Sequence, residues 1–208
     1  MKRLALLGAS GHGKVVADAA IAADWQEVVF FDDAWPNVEQ NGHWPVVGDT
    51  AALLARVHEF DGVMVSIGNS EVRWQKQRSL QEADGIIPTV VHPRAYVSPY
   101  ARLGPGSVVM ANAVINADAV VGEAAIINTG ATIDHDCVLG KGVHISPGAH
   151  LSGNVSVGDF SWVGVGAAVR QGTRIGSYAL VGAGAVVVSA VAERSTVVGC
   201  PAKPISKA

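Results

Sequence analysis

From Val97 to Val187 every sixth residue is aliphatic: Val97, Leu103, Val109, Ile115, Val121, Ile127, Ile133, Leu139, Ile145, Leu151, Val157, Val163, Val169, Ile175, Val181 and Val187, with no miss and no insertion. Val, Ile and Leu together make up roughly a quarter to a third of such a chain, so chance does not produce this run. A six-residue period is neither helical nor a plain strand alternation, and it predicts a hexapeptide β-helix. Four residues after each aliphatic stands a small or β-branched side chain: Ala101, Ser107, Ala113, Ala119, Ala125, Ala131, Cys137, Val143, Ala149, Val155. Gly104, Gly122, Gly140, Gly158 and Gly176 recur every eighteen residues. Three hexads thus predict one triangular coil, with residues eighteen apart stacked about 4.8 Å above one another. Cys137 belongs to the small series and reads as interior filler, not as a nucleophile.

The eighteen-residue register also orders the outward side chains. On one face the column is Val108, Ile126, His144, Trp162, Leu180. In a monomer this is expected to be an apolar stripe left in water, the mark of an association surface, and a closed ring of identical chains would cover it. At a corner the column reads Pro99, Ala117, His135, Gly153, Gln171, with His135 between Asp134 and Asp136. An imidazole beside the exposed backbone of Gly153 supplies what acyl transfer needs, a proton acceptor and an oxyanion donor. An adjacent carboxylate fixes the tautomer and raises basicity. The plainer alternative is an exposed corner histidine among solubilising acids. His144 and His150 fall on other faces than His135, so one chain cannot converge the three on a metal, which leaves only ligands shared between chains.

The first half alternates strand and helix. Residues 3–8, 27–31 and 62–67 read as buried strands, and 14–24, 50–60 and 71–84 as helices, which predicts an α/β, Rossmann-like domain with a parallel sheet. Ligands in such sheets sit at the carboxyl ends of the strands, here Ser10-Gly11-His12-Gly13, Asp32-Asp33 and Gly68-Asn69. The glycine loop Gly8–Gly13 suits a phosphate at a helix N-terminus, and Asp32 stands where an acid can bond a ribose hydroxyl. Its spacing is GxxGxG, not the dinucleotide GxGxxG, so a nicotinamide enzyme is a weaker reading, and turn glycines that merely close a strand–helix unit are a third.

Composition narrows the function classes. The chain has 208 residues, 15 Lys+Arg against 18 Asp+Glu, 49% hydrophobic and 16% charged residues. A net charge of −3 without like-charge blocks argues against nucleic-acid or membrane-surface binding. Two cysteines, Cys137 and Cys200, make no disulfide framework or metal finger. The apolar opening run stops at Gly8, so no signal peptide or membrane insertion is expected, and a cytoplasmic location is.

Taken in order, Gly8-Ala9-Ser10-Gly11-His12-Gly13, Phe31-Asp32-Asp33, Ile67-Gly68-Asn69, Ile127-Asn128-Thr129, Asp134-His135-Asp136-Cys137, His144-Ile145-Ser146-Pro147-Gly148-Ala149, Ser152-Gly153-Asn154-Val155 and Gly199-Cys200-Pro201-Ala202-Lys203 resemble the hexapeptide-repeat nucleotide-sugar N-acetyltransferases of bacterial glycan assembly. The resemblance covers almost the whole chain and is close to the bacillosamine type, with sialic acid O-acetyltransferases near by. It implies a nucleotide-sugar-binding domain over residues 1–92 and a left-handed parallel β-helix over 93–208, in a homotrimer with active sites between subunits. It implies acetyl-CoA as co-substrate, no metal, and a UDP-linked 4-amino-4,6-dideoxy sugar held by Ser10, Gly11, His12, Asp32, Asp33, Gly68 and Asn69. By the same resemblance His135 is the general base, Asp136 its orienting acid and Gly153 the oxyanion donor. His144, Val165 and Ala183 would contact acetyl-CoA, with Asn128 near the acceptor. Asp136 stands where some members carry glutamate, one methylene longer. Other readings of the same parts are sugar O-acetylation, a GDP- or dTDP-linked amino sugar, and a non-catalytic nucleotide-sugar-binding trimer.

Overall fold

The computed structural model describes residues 1–205. The chain divides into two compact units, Met1–His92 and Pro93–Ala208.

The first unit holds a three-stranded parallel sheet in the order β2-β1-β5, formed by β1 (Arg3–Leu7), β2 (Glu27–Phe31) and β5 (Gly62–Val65). The remaining elements are α1 (Gly11–Ala22), a short hairpin of β3 (Gln40–Asn41) and β4 (Trp44–Pro45), α2 (Thr50–Leu54) and α3 (Ser70–Glu82). Side chains alternate across the strands. Ala5, Leu7, Val29, Phe31, Val63 and Val65 join Leu53, Val57, Phe60 and Leu80 in one core cluster. Leu4, Leu6, Val28 and Phe30 are buried in the alternate positions, as are Val16, Ala17 and Ala20 of α1.

Several expected boundaries move, those of the helix expected over 71–84 by one residue at its start and two at its end, to Ser70–Glu82. The helix expected over 50–60 is α2 followed by a 3₁₀ turn, Val57–Glu59. The tighter turn brings Val57 and Phe60 to the same core as Leu53, which a straight helix need not do. Strand β5 ends at Val65, and α1 begins at Gly11, so Gly11, His12 and Gly13 form its first turn instead of a loop. Gly13 has a packing reason: a Cβ there would lie 2.5 Å from the Gly8 carbonyl oxygen and 2.9 Å from Phe30. The helix can enter close to the sheet only through a residue without a side chain.

The second unit is a parallel β-solenoid with two-residue strands on three faces. Face 1 carries Val108–Val109, Ile126–Ile127, His144–Ile145, Trp162–Val163 and Leu180–Val181. Face 2 runs from Tyr96–Val97 through Val114–Ile115, Thr132–Ile133, His150–Leu151 and Ala168–Val169 to Val186–Val187, and face 3 from Arg102–Leu103 to Arg174–Ile175. Partners on each face are eighteen residues apart, as in Thr132↔His150 and His144↔Trp162. The aliphatic series points inward, and Ala113, Ala119, Ala125, Ala131, Cys137, Val143 and Ala149 of the small series are fully buried beside it.

The corners explain the turn-rich composition. From Gly106 to Gly184 every sixth residue has positive φ, among them Asn112, Asp118, Gly130, Asp136, Gly148, Asn154 and Gly172. Gly, Asn and Asp tolerate this left-handed region at least cost. The eighteen-residue glycines answer a different need. A Cβ on Gly122 would lie 2.6 Å from the Gly140 carbonyl carbon, so on the edge between faces 3 and 1 successive coils approach too closely for side chains.

The period breaks once, after Val187. Leu180 pairs with Thr196 and Ile175 with Val191, sixteen residues apart instead of eighteen. Val191 and Val197 thereby fill the inward positions of a coil shortened by two residues, and Lys203–Ile205 pairs antiparallel on Thr196–Val198 to end it. The apolar stripe also differs from expectation. Val108, Ile126 and His144 are buried within the single chain, and only Trp162 and Leu180 stay exposed, at 37% and 44%. Most of the stripe therefore needs no second copy to cover it.

Candidate active site

His135 sits on the edge between faces 2 and 3. Its neighbour Asp136 occupies the left-handed corner position, with φ 58°, and its Oδ2 lies 2.7 Å from His135 Nδ1. The shorter acid thus reaches the ring. Asp134 lies against the preceding coil, accepting from the His135 backbone N–H at 2.8 Å and from the Asn116 side chain at 2.9 Å. These bonds hold the Asp134 carboxyl below its ordinary pKa. The hydrogen bond to Asp136, then the charges of Asp134 and Asp136, raise the His135 pKa above its ordinary value. With Nδ1–H donating to Asp136, Nε2 is the basic nitrogen, on a side chain 61% exposed.

One coil above, Gly153 packs on that ring: a Cβ at 153 would lie 2.5 Å from both Cε1 and Nε2 of His135. Only glycine permits this approach. Gly153 is itself buried, contrary to the expected exposed backbone, because the imidazole covers it. Its carbonyl accepts from Gly172 N–H at 2.9 Å, and among the described residues no hydrogen bond takes up its own N–H. Cys137, next in the chain, is buried; its thiol is 3.3 Å from the Ser152 carbonyl oxygen and burial raises its pKa, which suits filler and not a thiolate nucleophile.

The residues expected around acetyl-CoA lie elsewhere on the chain. Asn128, Val165 and Ala183 follow the face 1 strands and line the edge between faces 1 and 2, with Val165 55% exposed. Gly148, Gly166 and Gly184 on this edge have positive φ and nothing within 4 Å of a would-be Cβ, so no other part of the chain packs on the edge at these points. His144 on face 1 stacks on Trp162 with centroids 4.1 Å apart, and its Nε2 is 3.2 Å from the Asn128 side-chain nitrogen. The full width of face 2 separates this edge from that of His135, with the strand Thr132–Ile133 running between Asn128 and His135, so a single chain does not bring the two edges together. His150, on face 2, bonds Thr132 Oγ1 through Nδ1 at 2.9 Å. Among the described residues no group of three His, Cys, Asp or Glu is placed to hold a metal ion, and no helix is long and apolar enough to cross a membrane.

In the first unit the expected substrate residues gather at the carboxyl ends of the strands, but several are already engaged. Asp32 accepts from the backbone N–H groups of Ala9 at 2.7 Å and Ala34 at 2.9 Å, one on each carboxylate oxygen, which shapes the loop after β1. Asn69 caps α3, its side chain accepting from Val72 N–H at 3.0 Å. Asp33 accepts from Lys76 and from Thr50 N–H, and these bonds lower its pKa to about 2. Ser10 precedes α1 without a side-chain cap bond and no acid stands in the first turn, so this helix N-terminus keeps its positive end open. His12 is largely covered, and burial followed by the charge of Arg73 pushes its pKa down to about 4, so it is a neutral imidazole. Sequence reasoning missed Lys76 and Arg73; neither stands in a motif, and both reach the strand ends from α3 by tertiary packing.

Residues 3–80 match the PglD N-terminal domain family. A UDP-N-acetylbacillosamine N-acetyltransferase of Bacillus subtilis (strain 168) is 39% identical over 114 residues, 53% of this chain and 52% of that protein, so the match spans about half of its length. The acetyltransferase domain of PglB from Neisseria gonorrhoeae FA1090, solved with acetyl coenzyme A, superposes with a TM-score of 0.94 at 45% identity, covering 98% of this chain and 99% of that one. PerB from Caulobacter crescentus, solved with CoA and GDP-perosamine, gives 0.94 at 38% identity over 99% and 98% of the two chains. On this full-length likeness and the shared solenoid, the chain belongs to the hexapeptide-repeat nucleotide-sugar N-acetyltransferases.

Proposed function

We propose that this protein transfers an acetyl group from acetyl-CoA to the 4-amino group of a UDP-linked 4-amino-4,6-dideoxy sugar, with His135 as general base. The observation that carries the reading is the His135 ring, held by Asp136 at 2.7 Å on one side and packed on Gly153 on the other. The sugar amine attacks the acetyl carbonyl carbon while Nε2 takes its proton. Gly153 N–H donates to the oxyanion of the tetrahedral intermediate. The intermediate collapses with cleavage of the C–S bond, and the CoA thiolate leaves with the proton from the imidazolium. Asp136 keeps Nδ1 protonated and stabilises that imidazolium. Transfer is direct, since Cys137 is buried and, among the described residues, no serine hydroxyl bonds the His135 ring, whose partner is Asp136.

In the same reading the open N-terminus of α1, with Ser10, Gly11 and His12, seats the nucleotide diphosphate. Asp32, Asp33, Gly68 and Asn69 border it, Asp32 and Asn69 chiefly by shaping the loops. The separation of the His135 edge from the edge of Asn128, Val165 and Ala183 supports a homotrimer, in which one copy's base faces a neighbour's acyl-CoA edge. The name of the Bacillus relative and the GDP-perosamine complex of PerB support an amino-sugar acceptor, and the acetyl coenzyme A complex of the Neisseria domain supports the donor; the choice of UDP follows the bacillosamine likeness. The test is CoA release with UDP-, GDP- and dTDP-4-amino sugars at equal concentration, with the product checked as an alkali-stable amide. Release with the UDP sugar foremost is expected; silence with all three overturns the activity.

A further inference from the structure

The strand order β2-β1-β5 places a topological switch point between β1 and β5, because the chain leaves β1 to one side and returns to the other. Crevices at such points, outside the carboxyl ends of the strands, are where open α/β sheets bind ligands. Here the two lips of the crevice are locked together. Ser66 Oγ donates to the Gly8 carbonyl at 2.8 Å, and a Cβ on Gly8 would lie 2.5 Å from the Ile67 side chain. Against this segment lies Arg73, the largest fully buried side chain among the described residues, 1% exposed. From the first turn of α3 its Nη1 donates to the carbonyls of Ile67 and Gly68, both at 2.8 Å, and Nη2 lies 3.5 Å from Ser70 Oγ. The guanidinium therefore clamps the segment that follows β5. Burial lowers its pKa to about 10, which leaves it a cation at neutral pH, and its charge is felt across the crevice by His12 in the first turn of α1.

We propose that Arg73 is the positioning residue of this crevice: it fixes the Ile67–Gly68 lip against the first turn of α1 and supplies a permanent positive charge beneath a bound nucleoside diphosphate. The proposal rests on the reading of the α1 N-terminus as the diphosphate seat. Two positive features then converge from opposite sides, the open helix end with its N–H groups and the buried guanidinium. Because the guanidinium is held by backbone carbonyls, it shapes and charges the site from below, without touching the ligand. His12, held neutral beside it, adds no second charge.

The test is calorimetric titration of the full chain and its Arg73→Met and Arg73→Lys variants with UDP and with GDP, with acetyl-CoA titrated as the control. For Arg73→Met the nucleotide Kd is expected to rise about tenfold or more, the scale of one charge-assisted interaction. Arg73→Lys, which keeps the charge but not the planar fork, is expected to recover most of that loss, and acetyl-CoA affinity to stay at the wild-type value throughout. A folded Met variant that binds both nucleotides within twofold of wild type overturns the proposal, and so does an equal loss in Lys and Met. Should Met not fold, Arg73→Gln, which keeps donors without charge, takes its place under the same criterion. Since binding is read and not turnover, a wild-type protein that binds nucleotide but transfers no acetyl group overturns the proposed function alone. A wild type that binds neither nucleotide overturns this inference.

Discussion

The two units solve the same problem, burying apolar side chains around parallel strands, by opposite means. From Val97 to Val187 each solenoid strand is two residues long, and its neighbours are the residues eighteen before and after, as in Val114↔Thr132. Small side chains such as Ala119, Ala125 and Ala131 fill its interior. In the α/β unit the strands of the parallel sheet are four to five residues long, and β1 meets β5 across more than fifty residues of chain. Its core needs Phe30, Phe31 and Phe60, supplied by distant segments. The lesson concerns sites. A solenoid delivers a side chain to a known height and edge, so His135 and Gly153 meet as their numbering requires. The α/β unit delivers side chains by packing, so its strand-end residues divide between shaping loops and facing a ligand.

The strongest way to break this comparison is at the solenoid edge. His135→Ala should lower kcat by about 10²–10⁴-fold with little change in KM, the usual worth of a general base; wild-type kcat in steady-state assays would remove the base. Ile127→Ala, at a fully buried inward position, should destabilise the solenoid by about 2–5 kcal/mol in denaturant unfolding. A change below 0.5 kcal/mol would mean that the coil collapses around the gap, contrary to a rigid ladder. Gly153→Ala tests the contact itself. Its backbone φ is not in the left-handed region, so the fold should survive, while the new methyl displaces the imidazole. Misplacement of that kind is expected to cost about 10²-fold in kcat, with an unchanged melting temperature.

Smaller effects sharpen the comparison. In Asp136→Asn the main cause of the raised His135 pKa is gone, so that pKa falls. A general base works when unprotonated; the acidic limb of the kcat/KM profile should therefore move to lower pH, with a lower plateau as the imidazolium loses its partner. An unmoved limb would assign Asp136 a purely spatial part. In the α/β unit, Asn69→Ala should cost about 1 kcal/mol of stability through the lost cap. Asn69→Asp, which keeps the cap, should match wild type in thermal unfolding. A large rise in nucleotide Kd for the Asp variant, without loss of stability, would show Asn69 to act on substrate directly.

The period alone specified the prism, its inward and outward residues, and the stacking of Gly153 over His135, because in a solenoid sequence distance is spatial distance. Even the shortened last coil left its sign, in the missing aliphatic at Glu193 and the valines at Val191 and Val197. Tertiary structure alone decided three things. It buried Val108, Ile126 and His144, which the register identifies as outward but cannot identify as covered. It turned Asp32 back on the Ala9 and Ala34 amides and tied Asp33 to Lys76. And it set Arg73 beneath the strand ends, a residue that in the sequence is one polar position of a helix like any other. The physical reason is common to all three: exposure and hydrogen-bond partnership depend on what arrives from far along the chain, and no local period encodes that arrival.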